Sequence, residues 1–218
     1  MLYTEGSVNF NGDARNNRLR GLMGALRCAR DTQELREIDD AYFSGEAMQW
    51  LVRNNYRVVF LNGQTIEQTI ESGLVIGQDW QENVSKVIKQ SSRRTQVAIH
   101  AGNPFLPYSG DKDYYEQLKR LDIYNQYLCG QTTGIRAAVG TVADYVELNY
   151  LIRKEYNIQL FGRDNSFRLA RSSTILPDGS NVIVGCDSDV YGLCVDSLDM
   201  DKTKYDVHIA TILVPTSL

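Results

Sequence analysis

A few residues carry side chains that catalyse reactions or bind metals in other proteins. His100 ends a predicted strand just before a loop, a common position for a catalytic or binding residue. Cys28 is a candidate nucleophile if a histidine lies close to it in space. Two pairs of carboxylates, Asp187 with Asp189 and Asp199 with Asp201, offer the oxygen ligands that a divalent cation prefers.

Each of these residues also has a structural interpretation, and the sequence favours it. A cysteine on an amphipathic helix is most often a small apolar filler, and closely spaced aspartates commonly occupy solvent-facing turns. The chain has no glycine-rich phosphate loop, no Gly-x-Ser-x-Gly segment and no His-Glu-x-x-His segment. The sequence therefore predicts no catalytic residue, no cofactor and no metal site, and a protein that is not an enzyme.

The cysteines point to a reducing compartment. The chain has four of them, Cys28, Cys129, Cys186 and Cys194, and no two have the Cys-x-x-Cys spacing. Buried, reduced thiols are the expected state, with a disulfide or a metal site as the alternative.

A basic segment near the start is the main candidate for contact with a partner. Residues 14–30 hold five arginines and no acidic residue, and their apolar residues follow the spacing of an amphipathic helix. One interpretation is a contact with nucleic acid or with an acidic neighbouring subunit; the other is a solvated face of a packed helix. The candidate contact residues are Arg15, Arg18, Arg20, Arg27 and Arg30.

Length and composition indicate an ordinary globular chain. The chain has 218 residues, of which 43% are hydrophobic and 23% charged, which suits one domain with at most two lobes. A net charge of −4 disfavours a dedicated nucleic-acid-binding protein. Without a signal-peptide-like start or an apolar run of about 18 residues, the chain is expected to be soluble, made in a cytosol and without a membrane partner.

Helices and strands alternate in the first two thirds of the chain. A long helix is predicted from Asp31 to Asn54, and Thr141 with Asp144 forms a variant capping box that opens a later helix. The predicted elements are helix 31–54, strand 56–61, helix 80–90, strand 95–100, helix 113–128 and helix 141–156.

The last third is rich in strand signals. Short segments of β-branched and aromatic residues are separated by Gly, Pro, Asn and Asp, and Leu176-Pro177-Asp178-Gly179 fits a tight turn. The predicted strands are 158–161, 167–170, 182–185, 191–195 and 207–214. The fold class is α+β, with mixed or antiparallel sheets.

This layout resembles the major capsid proteins of tailed phages, which have the Hong-Kong-97-like fold, and most of all the lambda-type coat proteins. In that family a long spine helix leads into a strand and turn, and a Leu-Pro-Asp motif precedes an apolar strand. The segments that carry the resemblance are Asp39–Trp50, Tyr56–Gly63, Ile175–Gly185 and Asp206–Val214.

The resemblance implies a division of the chain. Residues 1–30 would form an N-terminal arm and basic helix, and residues 31–218 a capsid-like domain. That domain would contain the spine helix 31–54, an axial-like lobe at about 95–205 and a returning strand 206–214. The family has a longer arm before its spine helix, so the chain is expected to be a minimal coat protein, a processed product or another virion component.

The function implied by the resemblance is assembly. Copies of a virion structural protein, the major capsid protein, would form an icosahedral shell around the genome after synthesis in the host cytoplasm. The implied partners are further copies of the chain, genome DNA in weak non-specific contact and other virion proteins. Two alternatives stay open: a connector or tail protein, and a small-ligand α+β enzyme with its site near His100 to Asp111.

Overall fold

A computed structural model describes residues 40–77, 81–161, 168–188, 192–204 and 206–216. These residues belong to one unit, Arg36–Leu218, and form two four-stranded sheets with a small number of helices, which confirms the α+β class. Within the described residues, none of the helices is both long enough and apolar enough to span a bilayer.

The elements alternate along the chain before the strands accumulate at its end. In order they are α1 Gly45–Arg53, β1 Tyr56–Asn62, α2 Ile66–Glu71, α3 Gln81–Ser85, β2 Arg94–His100, α4 Tyr114–Cys129, β3 Ile135–Val139, α5 Val142–Tyr156, β4 Leu169–Ile175, β5 Ser180–Ser188, β6 Gly192–Asp199, β7 Val207–His208 and β8 Thr211–Pro215.

The first sheet has the strand order β1-β2-β8-β3, and all its neighbours are antiparallel. The last strand of the chain therefore lies in the middle of a sheet that earlier segments begin. Val59 and Leu61 of β1 are buried, whereas Tyr56, Val58 and Phe60 are half-buried. This period of two shows that one face of β1 belongs to the core and the other is partly open.

The second sheet has the order β6-β5-β4-β7, with β4 and β7 parallel. The predicted Pro177-Asp178-Gly179 turn joins β4 to β5, where Gly179 has a φ of +85° and the Asp178 carboxylate accepts a hydrogen bond from the Ser180 backbone. Residues 206–214, predicted as one returning strand, are instead divided between β7 in the second sheet and β8 in the first.

Helix α5 contacts β1 of the first sheet and β4 and β5 of the second, and is buried along most of its length. Thr141 caps it, and the predicted capping box with Asp144 is confirmed by both of its hydrogen bonds. Three of its buried side chains are polar, and each has a partner on a neighbouring element, as polar groups removed from water require. They are Asp144, Glu147 and Asn149.

The predicted spine helix from Asp31 to Asn54 is wrong over residues 40–44, and residues 31–39 lie outside the described part of the chain. The backbone of Asp40 donates to the Arg94 carbonyl at 2.6 Å, and Ala41 accepts from Gln96 at 3.0 Å. Ser44 then caps a nine-residue helix through the Ala47 amide. Pairing with the start of β2 thus replaces helix at these positions.

Other predicted elements differ in extent. Strand β3 and helix α2 were not predicted, and residues 158–161, predicted as a strand, form a loop and turn. The helix predicted over 80–90 ends at Ser85 and is followed by turns. The helices predicted at 113–128 and 141–156 are confirmed to within one residue at each end.

Candidate interaction surface

Several candidates from the sequence lie outside the described residues. These are the five arginines, Arg15, Arg18, Arg20, Arg27 and Arg30, together with Cys28 and Asp189. Their proposed contacts stay predictions.

His100 has a structural role at the end of β2. Its Nδ1 accepts hydrogen bonds from the backbone amides of Gly102 at 3.2 Å and Asn103 at 3.1 Å. Its ring stands edge-on to Tyr56, with the ring centres 5.3 Å apart. The side chain therefore holds the loop that follows the strand.

Of the two acidic pairs, Asp187, Asp199 and Asp201 lie in the part of the chain that the structure describes. Asp187 is buried and accepts from Asn149 at 3.1 Å and from Arg153 at 3.3 Å, so it serves the packing of α5 on the second sheet. Asp199 pairs with Lys202 in solvent. Within the described ranges, no cluster of three or more acidic, histidine or cysteine side chains is arranged to hold a metal ion.

A cavity of about 350 Å³ lies beside the loop after β2. The Arg168 guanidinium lies 5.8 Å from the centre of the Phe105 ring at its margin. The His208 ring is tilted by 50° against the same ring, with the ring centres 5.3 Å apart. Burial, followed by the charge of Arg168, lowers the pKa of the imidazole. The cavity wall is formed by residues 101–105, residues 157–160 and Arg168.

Ser109, the hydroxyl nearest to His208, is not placed as a nucleophile. It is fully buried, and its Oγ donates to the Leu106 carbonyl at 2.7 Å while accepting from the Ile209 amide at 3.2 Å. Its distance to His208 Nδ1 is 3.5 Å. The hydroxyl closes a turn and holds the loop against the end of β7.

Among the described residues, an array of aromatic and aliphatic side chains from α1, β1, β2 and α4 is partly exposed. We call it the aromatic surface. Its members are Trp50, Tyr56, His100, Ile123, Tyr124 and Tyr127.

The rings of the aromatic surface contact one another in sequence. Tyr56 meets Trp50 with ring centres 5.8 Å apart, and its hydroxyl lies 2.8 Å from that of Tyr124. Tyr124 in turn stacks on Tyr127 at 6.2 Å. Burial is the main cause that raises the pKa of Tyr56 and of Tyr124, so both hydroxyls stay protonated and one donates the hydrogen bond that joins them.

The outer part of the aromatic surface faces water. Ile123 is 65% exposed and Tyr127 is 57% exposed, and their spacing of four residues places them side by side on α4. Exposed residues of both charge signs accompany them on the same helix, namely Glu116, Lys119 and Asp122. An apolar centre with a mixed polar rim is the usual composition of a protein–protein interface.

Two helices fix the aromatic surface to the first sheet. Ala47 and Leu51 bury the inner side of α1, and Leu121 and Leu128 bury the inner side of α4. The side-chain amide of Asn125 pairs with the backbone of Ala137 in both directions, at 2.7 and 3.0 Å. The members of the surface thus lie on helices and strands that are packed against the core.

The apolar spacing of residues 113–128 predicts that Tyr124, or alternatively Ile123, faces inward; Tyr124 is half-buried at the edge of the aromatic surface, and the Ile123 alternative is wrong because that side chain is 65% exposed. The signal that would have found the surface is the pair Ile123 and Tyr127, which lies off the buried stripe of the helix. No protein-family model, curated protein or solved structure matches this chain.

Proposed function

We propose that this protein is a structural protein that assembles with copies of itself, as the major coat protein of a virion. The observation that carries the proposal is the aromatic surface, because partly exposed Tyr and Trp side chains that contact one another beside the exposed Ile123 and Tyr127 are typical of interface centres. Tyr127 and Ile123 leave water only when a second molecule covers them.

A second copy of the chain is the occupant that we infer. Glu116 and Asp122 lie on the same exposed helix as Lys119, so the rim carries both charges. When the same helix of two copies docks antiparallel, the acidic residues of one rim can face the lysine of the other. Tyrosine hydroxyls add donors and acceptors that are equally available on both copies.

The finer part of the proposal is a Hong-Kong-97-like arrangement that closes into an icosahedral shell. It is supported by the turn at Leu176–Gly179 between β4 and β5 and by β8, which returns to the centre of the first sheet. Contact of Arg15, Arg18, Arg20, Arg27 and Arg30 with the genome or a neighbouring subunit belongs to the same proposal.

Charge substitution on α4 tests the proposal. Ile123→Asp and Tyr127→Asp each place a carboxylate in the centre of the inferred interface, and we expect each to weaken association by about 2 kcal/mol or more, roughly 30-fold. The matched control is Val52→Asp on α1, because Val52 is equally exposed, at 66%, and lies outside the aromatic surface. Light scattering that shows the same loss of assembly in all three variants, or in none, contradicts the proposal.

A second candidate function is small-ligand binding at the cavity near His100. The observation that favours it is the Arg168 guanidinium at the margin of a cavity of about 350 Å³, which suits an anionic molecule. A thermal-shift screen with small carboxylates and phosphates tests it, with Arg168→Ala as the variant that abolishes any shift. Equal shifts in both proteins remove this candidate.

A further inference from the structure

Two cysteines meet in the second sheet, away from the aromatic surface. Cys194 is buried in a cluster with Leu169, Ile183 and Val207, and half-buried Cys186 packs against that cluster. The two side chains share a hydrogen bond between their thiols. Both cysteines are reduced.

The strand register places Cys186 one residue from the position that pairs with Cys194. Gly185 lies directly opposite Cys194, and a bulge between Gly185 and Ser188 follows at once. Cys186 follows that position at the start of the bulge, and its side chain packs against the buried cluster that contains Cys194. A Cβ atom added to Gly185 would clash with the Arg168 carbonyl oxygen, so no side chain fits at this position.

The two cysteines also differ in backbone conformation and in the pKa of their thiols. Cys186 has a φ of +48°, a left-handed conformation that a non-glycine residue adopts rarely. The hydrogen bond from Cys194 lowers the pKa of Cys186, against the opposing effects of burial and of Asp206, while the same bond and burial raise the pKa of Cys194. Cys186 is therefore the sulfur that reacts first.

We propose that Cys186 and Cys194 form a dithiol that a small disulfide, such as oxidised glutathione, converts into a disulfide across the β5–β6 hairpin. The Cys186 thiolate attacks one sulfur of oxidised glutathione, and the first glutathione leaves as a thiolate that takes up the proton Cys186 has lost. The Cys194 thiol then loses its proton, attacks the Cys186 sulfur and releases the second glutathione. Two protein thiols are oxidised, and one glutathione disulfide is reduced to two glutathione thiols.

The disulfide would be a crosslink whose formation depends on the redox conditions of the compartment. In a reducing cytosol the hairpin stays open, and in an oxidising environment it closes. The hairpin also carries Leu193, whose carbonyl accepts from Gly77 at 3.1 Å and whose amide donates to Val75 at 2.9 Å. Closure would therefore fix the segment 74–77 as well as the two strands. This inference is independent of the assembly proposal.

Mass spectrometry of the full chain tests the proposal. The folded protein is incubated with oxidised glutathione, remaining thiols are alkylated, and the unfolded product is digested with chymotrypsin, which cleaves after Tyr191 between the two cysteines. We expect a peptide pair linked through Cys186 and Cys194 to exceed the glutathione adduct of Cys186 by roughly tenfold or more, because a thiol already in contact attacks much faster than one from solution.

Two controls make the outcome decisive. Cys129 is exposed on α4 and serves as an internal reference that carries a glutathione adduct under the same conditions. Cys194→Ser removes the resolving thiol, so the adduct on Cys186 should accumulate. The proposal is overturned if Cys129 is modified while Cys186 and Cys194 remain alkylatable, or if wild type accumulates the unresolved adduct as the variant does.

Discussion

At the scale of single residues, the most consequential group is a carboxylate sealed inside the protein. Asp144 is fully buried and accepts hydrogen bonds from the Arg93 side chain at 2.7 and 3.0 Å, the Arg93 amide at 2.9 Å and the Thr141 amide at 2.8 Å. Burial acts to raise its pKa, but the charge of Arg93 and these hydrogen bonds outweigh that effect, so the pKa is lowered. The carboxylate thereby ties the segment before β2 to the start of α5.

Removing this carboxylate leaves the Arg93 charge without its partner in a site where only 8% of the side chain is exposed. We expect Asp144→Ala to lower the free energy of unfolding by about 3–5 kcal/mol in urea denaturation. The control is Lys89→Ala, which breaks an exposed ion pair with Glu67 and should cost at most about 1 kcal/mol. An equal loss of unfolding free energy in the two variants would show that the buried ion pair stabilises the fold no more than the exposed one.

The lowered pKa of Asp144 also predicts how stability depends on pH. In the unfolded chain the carboxyl binds a proton near its ordinary pKa, whereas the folded protein resists protonation until lower pH. Its contribution is therefore complete above the unfolded pKa and is lost as pH falls through the folded pKa. Between about pH 5 and pH 2, urea midpoints should fall more steeply for wild type than for Asp144→Asn. Parallel curves would contradict this.

At the scale of elements, α4 both carries part of the aromatic surface and protects a strand edge. Among the described strands, β3 pairs with β8 alone, and the Asn125 amide binds the backbone groups of Ala137 on the other side. Unpaired strand edges invite association with other chains. The helix thus directs contacts to its outer face and away from the edge of the sheet.

Asn125→Ala should loosen this attachment. Two hydrogen bonds of about 0.5–1.5 kcal/mol each are lost, so we expect the free energy of unfolding to fall by about 1–3 kcal/mol. Hydrogen exchange at the Ala137 amide should accelerate in the same variant. Gln126→Ala, an exposed neighbour on the same helix, is the control and should change neither quantity. Unaltered exchange at Ala137 in Asn125→Ala would refute the role assigned to this side chain.

Elements with local signals were predictable from the sequence. Thr141 with Asp144 predicts the start of α5, and Pro177 with Gly179 predicts a turn, because both patterns act through residues a few positions apart. Strand β3 gave no such signal, since its Ile-Arg-Ala-Ala-Val sequence does not alternate and four of its five residues are buried. The long spine helix was wrong because residues 40–41 pair with β2, a long-range contact that local periodicity does not reveal.

The candidate site was less accessible to sequence reasoning than the fold. Its six residues come from four elements, and only their packing makes them one surface. A count of 13 tyrosines was consistent equally with interfaces and with core edges. The contact between Cys186 and Cys194 was likewise hidden, because a bulge and not a sequence spacing brings them together.

At the scale of the whole molecule, assembly through an apolar centre has a definite salt dependence. The chain carries a net charge of −4, so copies repel one another weakly, while the contact at Ile123 and Tyr127 is uncharged. Raising the ionic strength from about 0.1 M to 1 M shortens the screening length from about 10 Å to 3 Å. We therefore expect assemblies to persist or grow in sedimentation experiments at high salt. Dissociation at high salt would show that ion pairs, and not apolar side chains, hold the copies together.

If this protein buries its aromatic surface against copies of itself, the molar mass of the full chain in concentrated solution will exceed that of a monomer. Light scattering coupled to size exclusion, with electron micrographs of the same fractions, should show closed particles or capsomers for wild type. It should show much smaller species for Tyr127→Asp, with Val52→Asp behaving as wild type. A wild-type chain that remains monomeric at high concentration would contradict the account.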